Sequence, residues 1–279
     1  MNKKLYVTDL DGTLLNKNIE LSKFSTETLN KLIDNGVNIT YSTSRSFYTA
    51  SKLLKEVRFS TPCITFNGVY VIQPNSGEII KKNLLEHEIY QDIYDTSKNM
   101  KLIPFIFGKT INGEEKLLYD SPDNNAQIKF IQERKERKDK RLHEVKNKCN
   151  LEEIINLNYL YSLDELLPLK EIICNKYKNE VSIKVIKDIY NDGYFTLEIS
   201  NKQANKGDML TYISSMLGVE LINVTVFGDQ SNDLEMFEIA GTRVAVKNAN
   251  EEIKKLADVI VDSNDNDGVT KYLAGLINS

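Results

Sequence analysis

The chain opens on an apolar run and then alternates such runs with segments whose apolar residues recur at helical spacing. Leu5-Tyr6-Val7-Thr8 predicts a strand. Ser22 to Asn35 predicts a helix, with Ser22 as N-cap and Gly36 as terminator. Val37 to Tyr41 predicts the next strand, Phe47 to Val57 a second helix, and Cys63 to Phe66 a third strand ended by Asn67-Gly68. Pro74-Asn75-Ser76-Gly77 supplies the turn of a hairpin. The last third repeats the style. Lys206 to Leu217 is a helix closed by Gly218, Val224 to Phe227 a strand, and Leu234 to Ala240 a helix closed by Gly241. Val244 to Val246 and Val259 to Val261 are further short strands. Short β-branched runs set between helices predict a parallel sheet covered on both faces, an α/β fold.

The middle of the chain follows a different rule. Ile103 to Phe107, Lys116 to Tyr119, Val181 to Ile186 and Phe195 to Ile199 alternate more cleanly and predict hairpins, with charged helices between them. This α+β pattern reads as a second domain, 84–200, inserted into a core formed by 1–83 and 201–279. Glu133 to Lys148 is dense in charges of both signs and reads as a solvated helix face.

Composition narrows the chemistry. Of 279 residues, 41% are hydrophobic and 27% charged, ordinary for a globular chain. No apolar run approaches the roughly 20 residues of a membrane span, and the N-terminus carries no signal-peptide pattern, so a cytoplasmic protein without a membrane partner is expected. The net charge of −4 argues against a nucleic-acid binder. Cys63, Cys149 and Cys174 form no metal-ligand spacing or disulfide framework. With only His87 and His143 available, a histidine metal site or a Ser-His-Asp hydrolase is hard to assemble.

Four segments end apolar strands, or begin helices, with groups suited to phosphate and metal. In an open parallel sheet the carboxyl ends of the strands line the ligand crevice, so these segments converge. In Asp9-Leu10-Asp11-Gly12-Thr13, two carboxylates follow a buried strand. Such a pair needs a cation, and oxygen ligands suit Mg²⁺. A carboxylate can also attack phosphorus, with its neighbour as general acid and base, and Gly12 would let the backbone turn around a phosphate. The same residues would also cap a turn. Ser42-Thr43-Ser44-Arg45 offers a hydroxyl, N–H groups and a guanidinium to an anion, or an N-cap and a surface arginine. Asn205-Lys206-Gly207 sets a lysine at a helix start, for phosphate or for solvent. Gly228-Asp229-Gln230-Ser231-Asn232-Asp233 adds a carboxylate after a strand, and Asp233 opens the next helix.

Taken in order, Asp9-Leu10-Asp11-Gly12-Thr13, Thr43, Lys206 and Gly228-Asp229-x-x-Asn232-Asp233 resemble the four motifs of the haloacid dehalogenase (HAD) superfamily. Asn67-Gly68, Asn248-Ala249 and Asp267-Gly268-Val269 resemble its Cof-like branch. Ser44 and Lys247 stand where that branch usually has Gly. The resemblance spans the whole chain and implies a doubly wound core, an inserted cap that moves and sets substrate choice, and a Mg²⁺-dependent phosphatase working through an aspartyl-phosphate. By the same resemblance, Asp9 is nucleophile and metal ligand. Asp11 is acid/base and binds metal through its carbonyl, while Thr13 supports the Asp11 side. Thr43 and Lys206 hold the transferring phosphoryl group. Thr13, Ser44, Arg45, Asn67 and Asn232 line substrate or phosphate. Asp229 ligates Mg²⁺, and Asp233 orders the metal's water shell. A small phosphorylated metabolite is the expected partner, bound by a monomer or weak homodimer. A phosphomutase of the same superfamily and a non-catalytic phosphometabolite-binding regulator are the rival readings.

Overall fold

The protein is described from a computed structural model, which covers residues 3–145, 149–188 and 191–275. The chain divides into two compact units. One takes Met1–Lys82 and Ala204–Ser279, the other Asn83–Gln203.

In the first unit, β1 (Leu5–Thr8) is buried along its whole length. Helix α1 (Lys23–Asp34) follows, capped by the Ser22 side chain, which accepts from the Ser25 N–H. Next come β2 (Asn38–Tyr41), α2 (Phe47–Leu53), β3 (Cys63–Thr65), β4 (Tyr70–Ile72) and β5 (Ile79–Lys82). Helix α2 ends four residues before the Val57 expected from its pattern. The third strand also departs from expectation. It meets β2 only through a Ser42–Ile64 bridge, and otherwise pairs antiparallel with β4 in a three-stranded sheet completed by β5. The cause is the turn after Thr65: Phe66, Asn67 and Gly68 have φ of 49°, 51° and 105°, and the chain doubles back.

The second unit carries α3 (His87–Asn99), β6 (Phe105–Lys109), β7 (Glu115–Tyr119), α4 (Asn125–Glu136), β8 (Leu142–Glu144), β9 (Glu153–Ser162), α5 (Leu163–Lys176), β10 (Val181–Lys187) and β11 (Tyr194–Asn201). Its six-stranded sheet runs β10-β11-β9-β6-β7-β8. The expected hairpins β6–β7 and β10–β11 are present. Sequence pattern missed β9, the strand that joins them. It is buried on both faces, so its residues do not alternate apolar and polar. The charged stretch from Glu133 is not one helix. Helix α4 stops at Glu136, Lys138 turns with φ of 51°, and Asp139 clasps the Arg141 guanidinium at 2.7 and 2.9 Å before β8 begins. No apolar stripe continues past Ile131 to hold a longer helix. Residues 146–148 of that stretch lie outside the described residues.

The chain returns to the first unit with α6 (Lys206–Leu217), β12 (Val224–Gly228), α7 (Leu234–Ile239), β13 (Thr242–Val246), α8 (Glu251–Leu256), β14 (Val259–Val261) and α9 (Gly268–Ala274). Five parallel strands then stand in the order β14-β13-β12-β1-β2, with flanking helices. Strand order reverses between β1 and β12. The chain leaves β1 through α1 toward one edge, and continues from β12 toward the other. At such a switch point the carboxyl ends of the strands open a crevice, and the residues found there are Asp9 and Asp229.

Candidate active site

Asp9 follows β1 directly. Its N–H donates to the Phe227 carbonyl at 3.0 Å, which extends the parallel ladder and fixes where the carboxylate stands. The Lys206 ammonium lies between two carboxylates, 2.6 Å from Asp9 Oδ1 and 2.7 Å from Asp233 Oδ1. Lys206 is fully buried, and burial disfavours its charge. Asp233 and Asp9 outweigh burial and raise its pKa, so the ammonium stays protonated. It reaches this place because the Asn205 side chain caps α6 by accepting from the Asp208 N–H, which sets Lys206 on the first helical turn.

Asp233 is the hub of the opposite wall. Its Oδ2 accepts from the N–H groups of Asp229 and Gln230, at 3.0 and 3.2 Å. Both of its oxygens are thus engaged by protein. The hub leaves no room for a side chain on residue 228: a Cβ there would stand within 2.8 Å of the Asp233 side chain. Asp229 accepts from the Thr13 hydroxyl at 2.9 Å. Burial, and then Asp233, push the Asp229 carboxyl up to about 6. Burial likewise drives Asp9 well above the usual carboxylate range, against the pull of Lys206.

Oxygens of Asp9, Asp229 and Asp233 all lie within 4.8 Å of one another. Three carboxylates and one ammonium give this buried group a net charge of −2 when fully ionised, a costly arrangement in a low dielectric. A hard divalent cation matches the deficit in charge and the donor set in kind. The Asp9 and Asp229 carboxylates are suited to hold it, whereas Lys206 and two N–H groups occupy Asp233.

The other expected residues divide. Asp11 turns from this cluster, and the Arg45 guanidinium holds both of its oxygens, at 2.6 Å through Nε and 2.5 Å through Nη2. Arg45, read as a phosphate ligand, is therefore engaged with a carboxylate of the chain itself. Thr13, expected beside Asp11, bonds to Asp229 instead. Thr43 is buried, and its hydroxyl accepts from the Arg45 N–H at 3.1 Å. Asn67 is buried in its left-handed turn, and its Oδ1 lies 3.5 Å from the Asn232 amide nitrogen. Ser44 is exposed.

One contributor, Asn248, had no role assigned from sequence. Asn248 donates to the Gly12 carbonyl at 2.7 Å and accepts from the Asn264 N–H, so it pins the turn between Asp11 and Thr13. Gly12 itself has φ of +78°, and a Cβ there would run into the Asp229 carboxylate. The sequence signals for Asn248 were its place just beyond an apolar strand and the Asn248-Ala249 pair that resembles the Cof-like branch.

A family model for haloacid dehalogenase-like hydrolases matches residues 6–273. Among curated relatives, the 5-amino-6-(5-phospho-D-ribitylamino)uracil phosphatases YwtE and YitU of Bacillus subtilis are each 26% identical to this chain. The alignment with YwtE covers 98% of both chains, and that with YitU 96% of both. Among solved structures, TM0651 of Thermotoga maritima superposes with a TM-score of 0.77 at 27% identity, over 99% of this chain and 98% of that one. A haloacid dehalogenase-like hydrolase of Bacteroides thetaiotaomicron gives 0.78 at 25%, over 99% of this chain and 100% of its own.

Proposed function

The chain belongs to the haloacid dehalogenase-like hydrolase family and is a phosphatase; from that premise we propose a Mg²⁺-dependent enzyme that hydrolyses small phosphomonoesters through an aspartyl-phosphate at Asp9. The observation that carries the reading is the buried group itself. A lysine ties Asp9 to Asp233 at 2.6 and 2.7 Å, with Asp229 alongside, at the switch point of the sheet.

Asp9 Oδ2 attacks phosphorus, and the bond from phosphorus to the ester oxygen breaks. Asp11 gives its proton to the departing oxygen and later takes one from the attacking water, which splits the acyl phosphate and frees Asp9. Lys206 keeps Asp9 Oδ1 occupied, so the other oxygen is the one presented. Its charge, with the Thr43 hydroxyl, opposes the negative charge gathering on the phosphoryl oxygens. Arg45 holds the Asp11 carboxylate, and that grip must loosen for a proton to pass. A bound Mg²⁺, held by Asp9, the Asp11 carbonyl and Asp229, would supply further charge neutralisation. Asp233 serves by orienting Lys206 and the Asp229 backbone.

The names of the two Bacillus subtilis relatives make 5-amino-6-(5-phospho-D-ribitylamino)uracil the first substrate to assay, beside sugar phosphates, pyridoxal phosphate and flavin mononucleotide. We assign recognition of the organic part to the Asn83–Gln203 unit, because the groups gathered around Asp9 address only phosphate and metal. The test is release of inorganic phosphate from this panel in chelator, and again after adding Mg²⁺. Full activity in chelator refutes the metal assignment, and an Asp9→Asn variant with near wild-type turnover refutes the nucleophile.

A further inference from the structure

In the parallel sheet of the first unit, β12 stands between β13 and β1. The loops that leave β1 and β12 carry Asp9, the Asp11 carbonyl and Asp229, the groups assigned above to Mg²⁺. The loop that leaves β13 carries none of them, but residues 248–250 bond to both of the others. Asn248 Nδ2 donates to the Gly12 carbonyl at 2.7 Å, reaching past β12 to the loop after β1. Two residues on, the Asn250 N–H donates to the Asp229 carbonyl at 2.9 Å. Between them Ala249 is buried, and its N–H closes a turn onto the Val246 carbonyl at 2.9 Å. The Asn250 side chain caps α8 by accepting from the Ile253 N–H. The segment is thus fixed by its own local bonds as well as by those it makes outward.

Asn248 is anchored at its other end too. Its Oδ1 accepts from the Asn264 N–H at 3.0 Å. A carbonyl only accepts and an N–H only donates, so these two partners leave one orientation for the amide. The Asn264 side chain then donates to the Leu15 carbonyl at 2.9 Å, three residues beyond Gly12. Gly12, Asn248, Asn264 and Leu15 therefore close a ring. Across the same stretch, the N–H groups of Thr13, Leu14 and Leu15 all donate to the Leu10 carbonyl, at 3.3, 3.1 and 2.8 Å. The Asp229 carboxylate meets this turn directly, accepting from the Thr13 hydroxyl and filling the space a Cβ on Gly12 would need.

These bonds oppose a definite force. Asp9, Asp229 and Asp233 bring like charges within 4.8 Å of one another, and their repulsion drives the loops apart. Spacing matters to the ion. Mg²⁺ demands near-ideal octahedral oxygens at about 2.1 Å, whereas Ca²⁺ accepts a looser shell at about 2.3–2.6 Å. Loops held close together favour the smaller ion. We propose that Asn248 is a positioning residue: through the Gly12 carbonyl it holds the loop after β1 against the Asp229 loop, and so sets the preference of the site for Mg²⁺ over Ca²⁺. The inference rests on the Mg²⁺ reading above. Among the described residues Asn248 bonds to no candidate ligand atom, and it acts one residue beyond the Asp11 carbonyl.

The test is calorimetric binding of Mg²⁺ and of Ca²⁺ to the metal-free full chain, in wild type and in Asn248→Ala. Asn248 is exposed, so the substitution opens no cavity; Asn248→Ser, too short to make both bonds, replaces it should the first variant fail to fold. The control is Asn30→Ala. Asn30 likewise donates to one backbone carbonyl, of Glu56 at 2.8 Å, and accepts from one N–H, of Arg58 at 2.9 Å, but in a segment remote from Asp9. Asn248→Ala should weaken Mg²⁺ binding about tenfold or more and Ca²⁺ binding by no more than about threefold, with both within about twofold in the control. Equal weakening for the two ions, no weakening for either, or the same change of preference in Asn30→Ala overturns the proposal. Failure of the Mg²⁺ reading is seen separately, as a wild type that binds neither ion. Amide exchange over residues 10–15 of the metal-free protein, followed by mass spectrometry, then decides the matter. Faster exchange in Asn248→Ala and not in Asn30→Ala would show Asn248 holding the loop without setting an ion preference, and so would overturn the proposal as stated; unchanged exchange would remove the holding role as well.

Discussion

Lys206→Met tests the centre of the site. The substitution keeps an unbranched side chain of similar length and removes the charge that sits between Asp9 and Asp233. Removing one partner of a buried ion pair costs about 3–5 kcal/mol, because the remaining charge is left buried and uncompensated. Here the cost should fall near the lower end. Asp9 is already held well above the usual carboxylate range by burial, and without Lys206 it can take a proton. Some 3 kcal/mol corresponds to a fall in Tm of about 6–12 °C for a domain of this size. The sign with pH follows from the same group. In the variant, the native state holds a proton on Asp9 that the unfolded chain has released, so stability is greatest in acid and is lost as pH rises through the raised value. Thermal melts monitored by circular dichroism should therefore show a smaller deficit at pH about 5 than at about 8. Turnover should drop by about 10²–10³, the usual loss when a preorganised charge on the transition state is removed. A Tm within about 2 °C of wild type at both pH values, or turnover within about threefold, would refute the ion-pair reasoning.

Gly12→Ala should cost about 1–2 kcal/mol from its positive φ alone. Since the new methyl meets the Asp229 carboxylate, calorimetry should also show weaker Mg²⁺ binding, and unchanged metal affinity would contradict the packing argument. Mg²⁺ affinity in wild type should weaken on acidification, because the Asp229 carboxyl, pushed up to about 6 by burial and by Asp233, must lose its proton to serve as a ligand; the expected slope is about tenfold per pH unit below that value, with proton release on binding, and a flat profile argues against Asp229. Asp11→Asn should slow phenyl phosphate, with its poor leaving group, by about 10²–10⁴, and p-nitrophenyl phosphate by much less in the first half-reaction. Rapid quench should show phosphoenzyme accumulating in that variant, whereas equal losses without a burst would remove Asp11 from the acid/base role.

The core was legible in the sequence where local signals and burial agree. Strands β1 and β12 are short β-branched or aromatic runs ending in Asp, and α6 runs from Lys206 to Leu217 before a glycine with φ of 63°, as its pattern predicts. A strand buried on both faces must be apolar throughout, and a helix must start and stop, so these features write themselves into residue order. The same logic hid β9, whose asparagines interrupt a long apolar run, and it overstated α2 and the helix after Glu133, where nothing apolar marks the end.

Which residues would form a site was also a matter of sequence, since strand ends in a parallel sheet converge whatever else they do. What each side chain touches was not. Arg45 grips Asp11, Thr13 bonds to Asp229 across 216 positions, and Lys206 chooses Asp233 as well as Asp9. Those choices depend on distances of about 3 Å between strands remote in the chain, and no pattern along one segment records them. The asparagines of β9 are the sharpest case. As sequence, Asn156 and Asn158 are ordinary polar residues in a strand. Only pairing with two neighbouring strands, and the loss of solvent that follows, leaves their side-chain oxygens without a donor among the described residues.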